Sequence, residues 1–285
     1  MAYKGILIPI GGNEDKGTGE DDTHVLDFVK DGILSRVVKE SGGEKAKVAV
    51  VTTASRIPVE VGQKYQDAFT RLGVKDLHIL DIRESADAED EKTLSIVQTC
   101  DCIMFSGGDQ SRIVDIIGNT AMHRLLKHRF QNDTIVIAGT SAGAMAMSSE
   151  MIAGGSSSEA LLKGSVEMRE GMKFIPGLII DSHFIQRGRF GRLAEAVAMH
   201  PHLLGVGLAE DTAMIIENCN KFKVIGSGMV IIFDPSGLTH NNVEILPEGT
   251  PMTMSNLTVH VLANSDSFVI DEKKIQVLPI DAEFE

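Results

Sequence analysis

The chain opens on an apolar run, Ile6–Ile10, and similar runs recur at Val48–Thr52, Leu77–Leu80, Ile103–Phe105 and Ile135–Ala138. They lack the apolar–polar alternation of a strand with one wet face. Continuous runs of this length suit strands of a parallel sheet covered on both sides. Helical patterns lie between them. In residues 24–41, Val25, Phe28, Val29, Ile33 and Val37 fall on one stripe, and Gly42-Gly43 closes the segment. Segments 60–72, 111–129 and 190–199 also read as helices. Strand and helix in turn imply βαβ units, with the loops at the strand C-termini free to build a site. From about residue 205 the texture changes. Val206–Leu208, Met214–Glu217, Lys221–Ile225, Met229–Phe233, Leu257–Leu262 and Ser267–Ile270 are short strands separated by Gly, Asn, Asp and Pro. The pattern predicts an α/β fold, a mainly parallel sheet flanked by helices with antiparallel hairpins appended at the C-terminal end. With no Pro/Ser-rich linker, residues 1–285 are expected to form a single α/β domain, its part from 205 onward strand-rich. Residues 12–23 and 84–92 read as acidic, solvated loops.

Composition narrows the function classes. The formal net charge of −13 argues against a nucleic-acid partner, and the absence of Trp with only 2 Tyr removes stacking platforms for single strands. Cys100, Cys102 and Cys219 are too few and too oddly spaced for a disulfide framework or a zinc finger, which fits a reducing cytoplasm. The N-terminus runs straight into a strand, and no apolar run reaches membrane-spanning length, so neither a signal peptide nor a membrane partner is expected. No H-E-x-x-H, Cys/His ligand spacing or P-loop lysine occurs, so no metal or organic cofactor is expected.

The candidate chemistry sits in Gly139-Thr140-Ser141-Ala142-Gly143, directly after the run Ile135–Ala138. Strand, sharp turn and small-residue helix are the setting of a nucleophile elbow, which lifts a serine hydroxyl clear of the sheet above a helix N-terminus. A serine nucleophile needs a base, and the base needs an orienting acid. Among nine histidines, His183 follows the apolar strand end Ile179-Ile180-Asp181, at the rim where Ser141 should stand. The acid is either Glu210, after another strand end at that rim, or Glu159, in the loop after the elbow helix. Asp211 and Asp181 lie near in sequence. Ala142 N–H is expected to give one oxyanion donor and Gly107 or Gly108 the second, although Gly107-Gly108 could equally be a plain βα turn. Arg187, Arg189 and Arg192 reverse the sign of an acidic chain beside His183. They read either as a carboxylate-binding pocket or as a solvated helix start paired with Glu195.

Five blocks together resemble the cyanophycinase family and its relative aspartyl dipeptidase: Ile8–Lys16, Phe105–Gln110, Gly139–Ala144, Asp181–Phe184 with Gln186–Arg189, and Gly205–Ala213. The resemblance implies a serine peptidase with a fold related to class I glutamine amidotransferase domains, cutting next to aspartyl residues. The substrate implied is an aspartate-containing peptide or polymer. Cyanophycin, a poly-aspartate bearing arginine on each β-carboxyl, would release β-Asp-Arg dipeptides. On this chain it implies Ser141 as nucleophile, His183 as base, Glu210 as third member and Glu159 in charge relay. It further implies Gln110, Asp181, Arg187, Arg189 and Arg192 in the substrate pocket, with Asp181 able to receive a guanidinium, and a homodimer. Where the family usually has Gln before the histidine, this chain has Ser182, also a substrate-pocket position. That loss of an amide leaves room for a different aspartyl or isoaspartyl substrate. The competing expectations are an esterase or amidase on the same triad and a non-catalytic binding protein on this fold. Glutamine amidotransferases carry Cys at the elbow, so Ser141 argues against their chemistry.

Overall fold

The computed structural model describes residues 3–19, 25–155 and 161–279. Its first half winds β1 (Ile6–Ile10), α1 (Ile33–Glu40), β2 (Lys47–Val51), α2 (Pro58–Arg71), β3 (Asp76–Leu80), α3 (Glu91–Thr99), β4 (Cys102–Phe105), α4 (Gln110–Ile117), α5 (Ala121–Asn132), β5 (Val136–Thr140) and α6 (Ala142–Met145). Strands β1-β5-β4-β2-β3 pair in parallel, in that order. Their continuous apolar runs follow from cover on both faces. On one face Ile8, Ile10, Val48, Val50, Met104 and Ala138 pack with Leu34 and Val37 of α1 and Tyr65 and Phe69 of α2. On the other, Leu7, Ala49, Val51, Ile103 and Ile137 pack with Val97, Ile113, Leu126 and Phe130 of α3, α4 and α5. The period of two along each strand divides one apolar run between two cores. Each fully buried Leu, Ile or Phe contributes about 1.5–3 kcal/mol of transfer free energy.

The second half adds β6 (Glu150–Gly155), β7 (Val166–Glu170), β8 (Leu178–Asp181), α7 (Phe190–Met199), β9 (Leu204–Leu208), β10 (Thr212–Glu217), β11 (Lys221–Gly226) and β12 (Val230–Asp234). After these come β13 (His240–Asn241), β14 (Met254–Ser255), β15 (Thr258–Leu262), β16 (Ser267–Val269) and β17 (Lys274–Gln276). Strands β10, β11, β16 and β17 extend the main sheet antiparallel beyond β1. The remaining late strands do not all join it, as the sequence pattern had suggested. β9, β12 and β15 form a separate four-stranded sheet with β8, and β8 and β9 run parallel. The two sheets share one core, in which Leu7 and Ile137 belong to the same cluster as Ile179, Val206 and Phe233.

Three local expectations are corrected. The described part of the 24–41 segment is helical only from Ile33, because the Asp27 carboxylate accepts from Val29 N–H and Lys30 N–H at 3.0 Å and forms a turn there. Val25 and Val29 are consequently exposed. The 111–129 segment breaks at Gly118 and Asn119 (φ +62°), where Thr120 caps a new helix. The loop from residue 12 is not a solvated surface throughout, since Glu14 is buried.

Candidate active site

Residue Ser141 stands between β5 and α6 with φ +50° and ψ −107°, a conformation unfavourable for a residue with a Cβ. The bend requires its flanking glycines. A Cβ on Gly139 would lie 2.6 Å from Gly143 C, and one on Gly143 would lie 2.5 Å from Phe105 O. This strained strand-to-helix turn is the elbow predicted from the Gly-x-Ser-x-Gly spacing.

The end of β1 aligns three distant segments. Its successive carbonyls Ile10 O, Gly11 O and Gly12 O accept from Ser141 N–H (2.9 Å), His183 N–H (2.8 Å) and Asp211 N–H (2.9 Å). His183 and Asp211 also hold positive φ, +46° and +48°. The tertiary hydrogen bonds therefore impose backbone shapes that each residue alone would avoid. Gly12 gives the imidazole its seat, since a Cβ there would come within 2.4 Å of the ring.

The side chains meet accordingly. His183 Nε2 lies 2.9 Å from Ser141 Oγ, and His183 Nδ1 lies 2.6 Å from Glu210 Oε1. Burial pushes the His183 pKa below the usual imidazole value, and the Arg187 charge pushes the same way, while the Glu210 hydrogen bond opposes them. The imidazole is thus neutral at pH 7. With Nδ1–H donated to Glu210, the Nε2 lone pair faces the Ser141 hydroxyl. The arrangement can remove a proton from Ser141 and hold the resulting imidazolium beside a carboxylate.

Around Ser141 lies an open cleft of about 620 Å³ whose lining includes Gly107, Gly108, Thr140, His183, Glu210 and Arg187. Gly107 sits close enough that a Cβ on it would touch Ser141 Cβ at 3.5 Å. Ala142 opens α6 directly after Ser141, so its N–H is one that a helix leaves without an internal acceptor. Among the described residues no backbone carbonyl accepts from Ala142, Gly107 or Gly108 N–H. Gly107 and Gly108 line the cleft beside Ser141.

Most of the other expected substrate residues are engaged by the protein itself. Asp181 is fully buried and accepts from Arg192 Nη2 (2.5 Å), Arg192 Nε (2.9 Å) and Arg189 Nη1 (3.0 Å). It is no open acceptor for a guanidinium, and the two arginines are spent on it. Arg189 also donates to Ser182 O at 2.7 Å, and burial brings its pKa down to about 10 against the pull of Asp181. Gln110 donates its amide to Ile152 O (2.9 Å) and Ala153 O (3.0 Å), clamping β6. Ser182 is buried, its Oγ 3.3 Å from Met145 Sδ and 3.5 Å from Ser141 Oγ. Of this group only Arg187 lines the cleft. The alternative of a solvated helix start also fails, because Arg192 is buried and Glu195 binds Val166 N–H (3.2 Å) rather than an arginine. Glu159 lies outside the described residues.

Sequence reasoning assigned no role to Glu14, Lys16, Lys64 and Tyr65, all of which line the cleft. Glu14 accepts from Tyr65 OH (2.5 Å) and Thr140 Oγ1 (2.6 Å), and Lys16 Nζ lies 3.0 Å from it. Burial raises the Glu14 pKa, but the Lys16 ammonium and the Thr140 and Tyr65 hydroxyls outweigh it and hold the carboxyl below its usual range. Tyr65 is driven well above its usual pKa by burial and by the Glu14 charge, so it remains a donor. The available signal was position, because Gly11–Lys16 follows β1 immediately, at the same rim as the elbow. Among the described residues no group of three His, Cys, Asp or Glu could hold a metal ion, and no helix is long and apolar enough to cross a membrane.

The model of peptidase family S51 matches residues 24–224. The chain is 35% identical to a cyanophycinase of Trichormus variabilis, over 96% of this chain and 89% of that protein. It is likewise 35% identical to a cyanophycinase of Geminocystis herdmanii, over 92% of each. The crystal structure of a peptidase from an acI-B1 Actinobacterium superposes with a TM-score of 0.59 at 21% identity, covering 90% of this chain and 97% of that one. With a matched sequence span of this extent and the same fold, the chain belongs to peptidase family S51 and is a peptidase hydrolase.

Proposed function

We propose that this protein is a serine peptidase of the cyanophycinase type, hydrolysing aspartyl or isoaspartyl peptide bonds through an acyl-enzyme on Ser141. The observation that carries the reading is the hydrogen-bonded chain Ser141–His183–Glu210 at a strained elbow. In this reading His183 takes the Ser141 proton as Oγ attacks the peptide carbonyl. Ala142 N–H with Gly107 or Gly108 N–H stabilises the oxyanion, and Glu210 stabilises the imidazolium. His183 then protonates the leaving amine, and water releases the acyl group.

Substrate class rests on two supports. The relatives matched over nearly their whole length are cyanophycinases. The cleft carries Lys16, Lys64 and Arg187 in a chain of net charge −13, a local sign reversal that favours a carboxylate-bearing peptide. The roles expected of Arg189 and Arg192 as carboxylate binders pass to these cleft cations.

The test is incubation with cyanophycin and with β-aspartyl dipeptides, followed by product identification by mass spectrometry, with Ser141→Ala as control. The reading predicts β-Asp-Arg or its component amino acids from at least one substrate, and none from the control. Turnover of simple esters alone would move the assignment to an esterase.

A further inference from the structure

We infer that Glu14 is a positioning residue for Ser141: its buried carboxylate, gripped by Tyr65 and Lys16, fixes the Thr140 side chain and with it the bend that presents the Ser141 hydroxyl. The inference rests on the reading of Ser141 as nucleophile and on no particular peptide substrate.

A strained bend persists only where its surroundings over-determine it. Ser141 holds φ +50° and ψ −107°, and the helix it opens, α6, is 4 residues long with no side-chain hydrogen bond capping it. So short a helix does not hold the turn by itself. The restraint comes from the chain at and after the end of β1. Ile10 O accepts from Ser141 N–H at 2.9 Å, and Glu14 Oε2 accepts from Thr140 Oγ1 at 2.6 Å. Ile10 and Thr140 are register partners in the sheet, so both ties act on the same end of β5.

Thr140 is the polar side chain of an otherwise apolar strand, Val-Ile-Ala-Gly-Thr. The period of two places it with Val136 and Ala138, on the face that packs with Tyr65. A hydroxyl in that dry setting needs a partner, and Glu14 supplies a charged one. Glu14 is itself buried, and its other oxygen accepts from Tyr65 OH at 2.5 Å and lies 3.0 Å from Lys16 Nζ. These two partners keep the carboxylate from swinging away from Thr140. A buried carboxylate with its partners in place specifies a geometry more narrowly than apolar contact does, because its hydrogen bonds are directional. Among the described residues those bonds do not reach Ser141, His183 or Glu210, so the hold on the elbow runs through Thr140.

The test is the rate at which a fluorophosphonate probe labels Ser141, measured well below the Tm of every variant, with Tm read by scanning fluorimetry. Thr140→Val replaces the hydroxyl by a methyl of similar shape, and Tyr65→Phe removes the other hydroxyl from the same carboxylate. Both should lower Tm. Thr140→Val alone breaks the tie to the elbow, so it should slow labelling about ten- to hundredfold, the cost of a small misplacement of a reacting group. Tyr65→Phe should slow it far less, and Thr140→Ser, which restores the hydroxyl, should recover most of the rate. Glu14→Gln takes the charge from the bond. It should slow labelling in the native background, and by less than about twofold further in Thr140→Val, since both changes act through one contact. An unslowed Thr140→Val, equal slowing by Tyr65→Phe, no recovery in Thr140→Ser, or additive effects of Glu14→Gln and Thr140→Val would overturn the inference and leave Ser141 as nucleophile. No labelling of Ser141 in the unmodified protein would overturn the nucleophile reading, and this inference with it.

Discussion

At the scale of single residues, the proposed mechanism makes the imidazole of His183 decide the pH behaviour. Burial holds its pKa below the ordinary imidazole value, and as the proposed base it works in the neutral form. Activity is therefore absent when the ring is protonated and rises with pH through the lowered pKa. The acid limb of the kcat/KM profile should have its midpoint below pH 6.5, followed by a plateau at neutral pH. Glu210 is the partner that raises the pKa. Replacing it with Gln should move the midpoint further down and lower the plateau by about 10²–10⁴-fold, the usual worth of general acid–base assistance. A midpoint that does not move in Glu210→Gln would separate Glu210 from the base.

At the scale of elements, β1, β8 and α7 carry the alignment. The last residue of β1 and the two glycines after it accept from the backbones of three strained residues, so the loops carrying Ser141, His183 and Asp211 are registered against one strand end. The buried Asp181–Arg189–Arg192 cluster ties the end of β8 to the start of α7, next to His183. Removing one partner of a buried ion pair costs about 3–5 kcal/mol, because the remaining charges lose their counter-ion in a dry setting. Asp181→Asn should accordingly lower Tm by about 6–20 °C. A group that served only to bind substrate would instead raise KM and leave Tm in place, and differential scanning fluorimetry distinguishes these outcomes.

At the scale of the whole molecule, the site is a meeting of two sheets. Ser141 follows β5 of the larger one, whereas His183 and Glu210 follow β8 and β9 of the smaller. Much of this was legible in the chain. The continuous apolar runs gave the parallel strands, Gly139 and Gly143 marked the elbow, and His183 and Glu210 followed recognisable strand ends. The partition of the late strands between two sheets was not legible, since a strand signal does not name its neighbour. Arg189 and Arg192 misled for a similar reason. An arginine reads alike in sequence whether it faces solvent, a ligand or a buried aspartate. Glu14 and Tyr65 are 51 residues apart, and only the folding of β1 against α2 joins them.

The central claim is that Ser141 Oγ is activated by His183. The most direct measurement is the rate of covalent labelling by a fluorophosphonate probe, with the adduct located by peptide mass spectrometry. The account predicts modification at Ser141, slowed at least about a hundredfold in His183→Ala and absent in Ser141→Ala. Labelling of another residue, or a rate indifferent to His183, would contradict it.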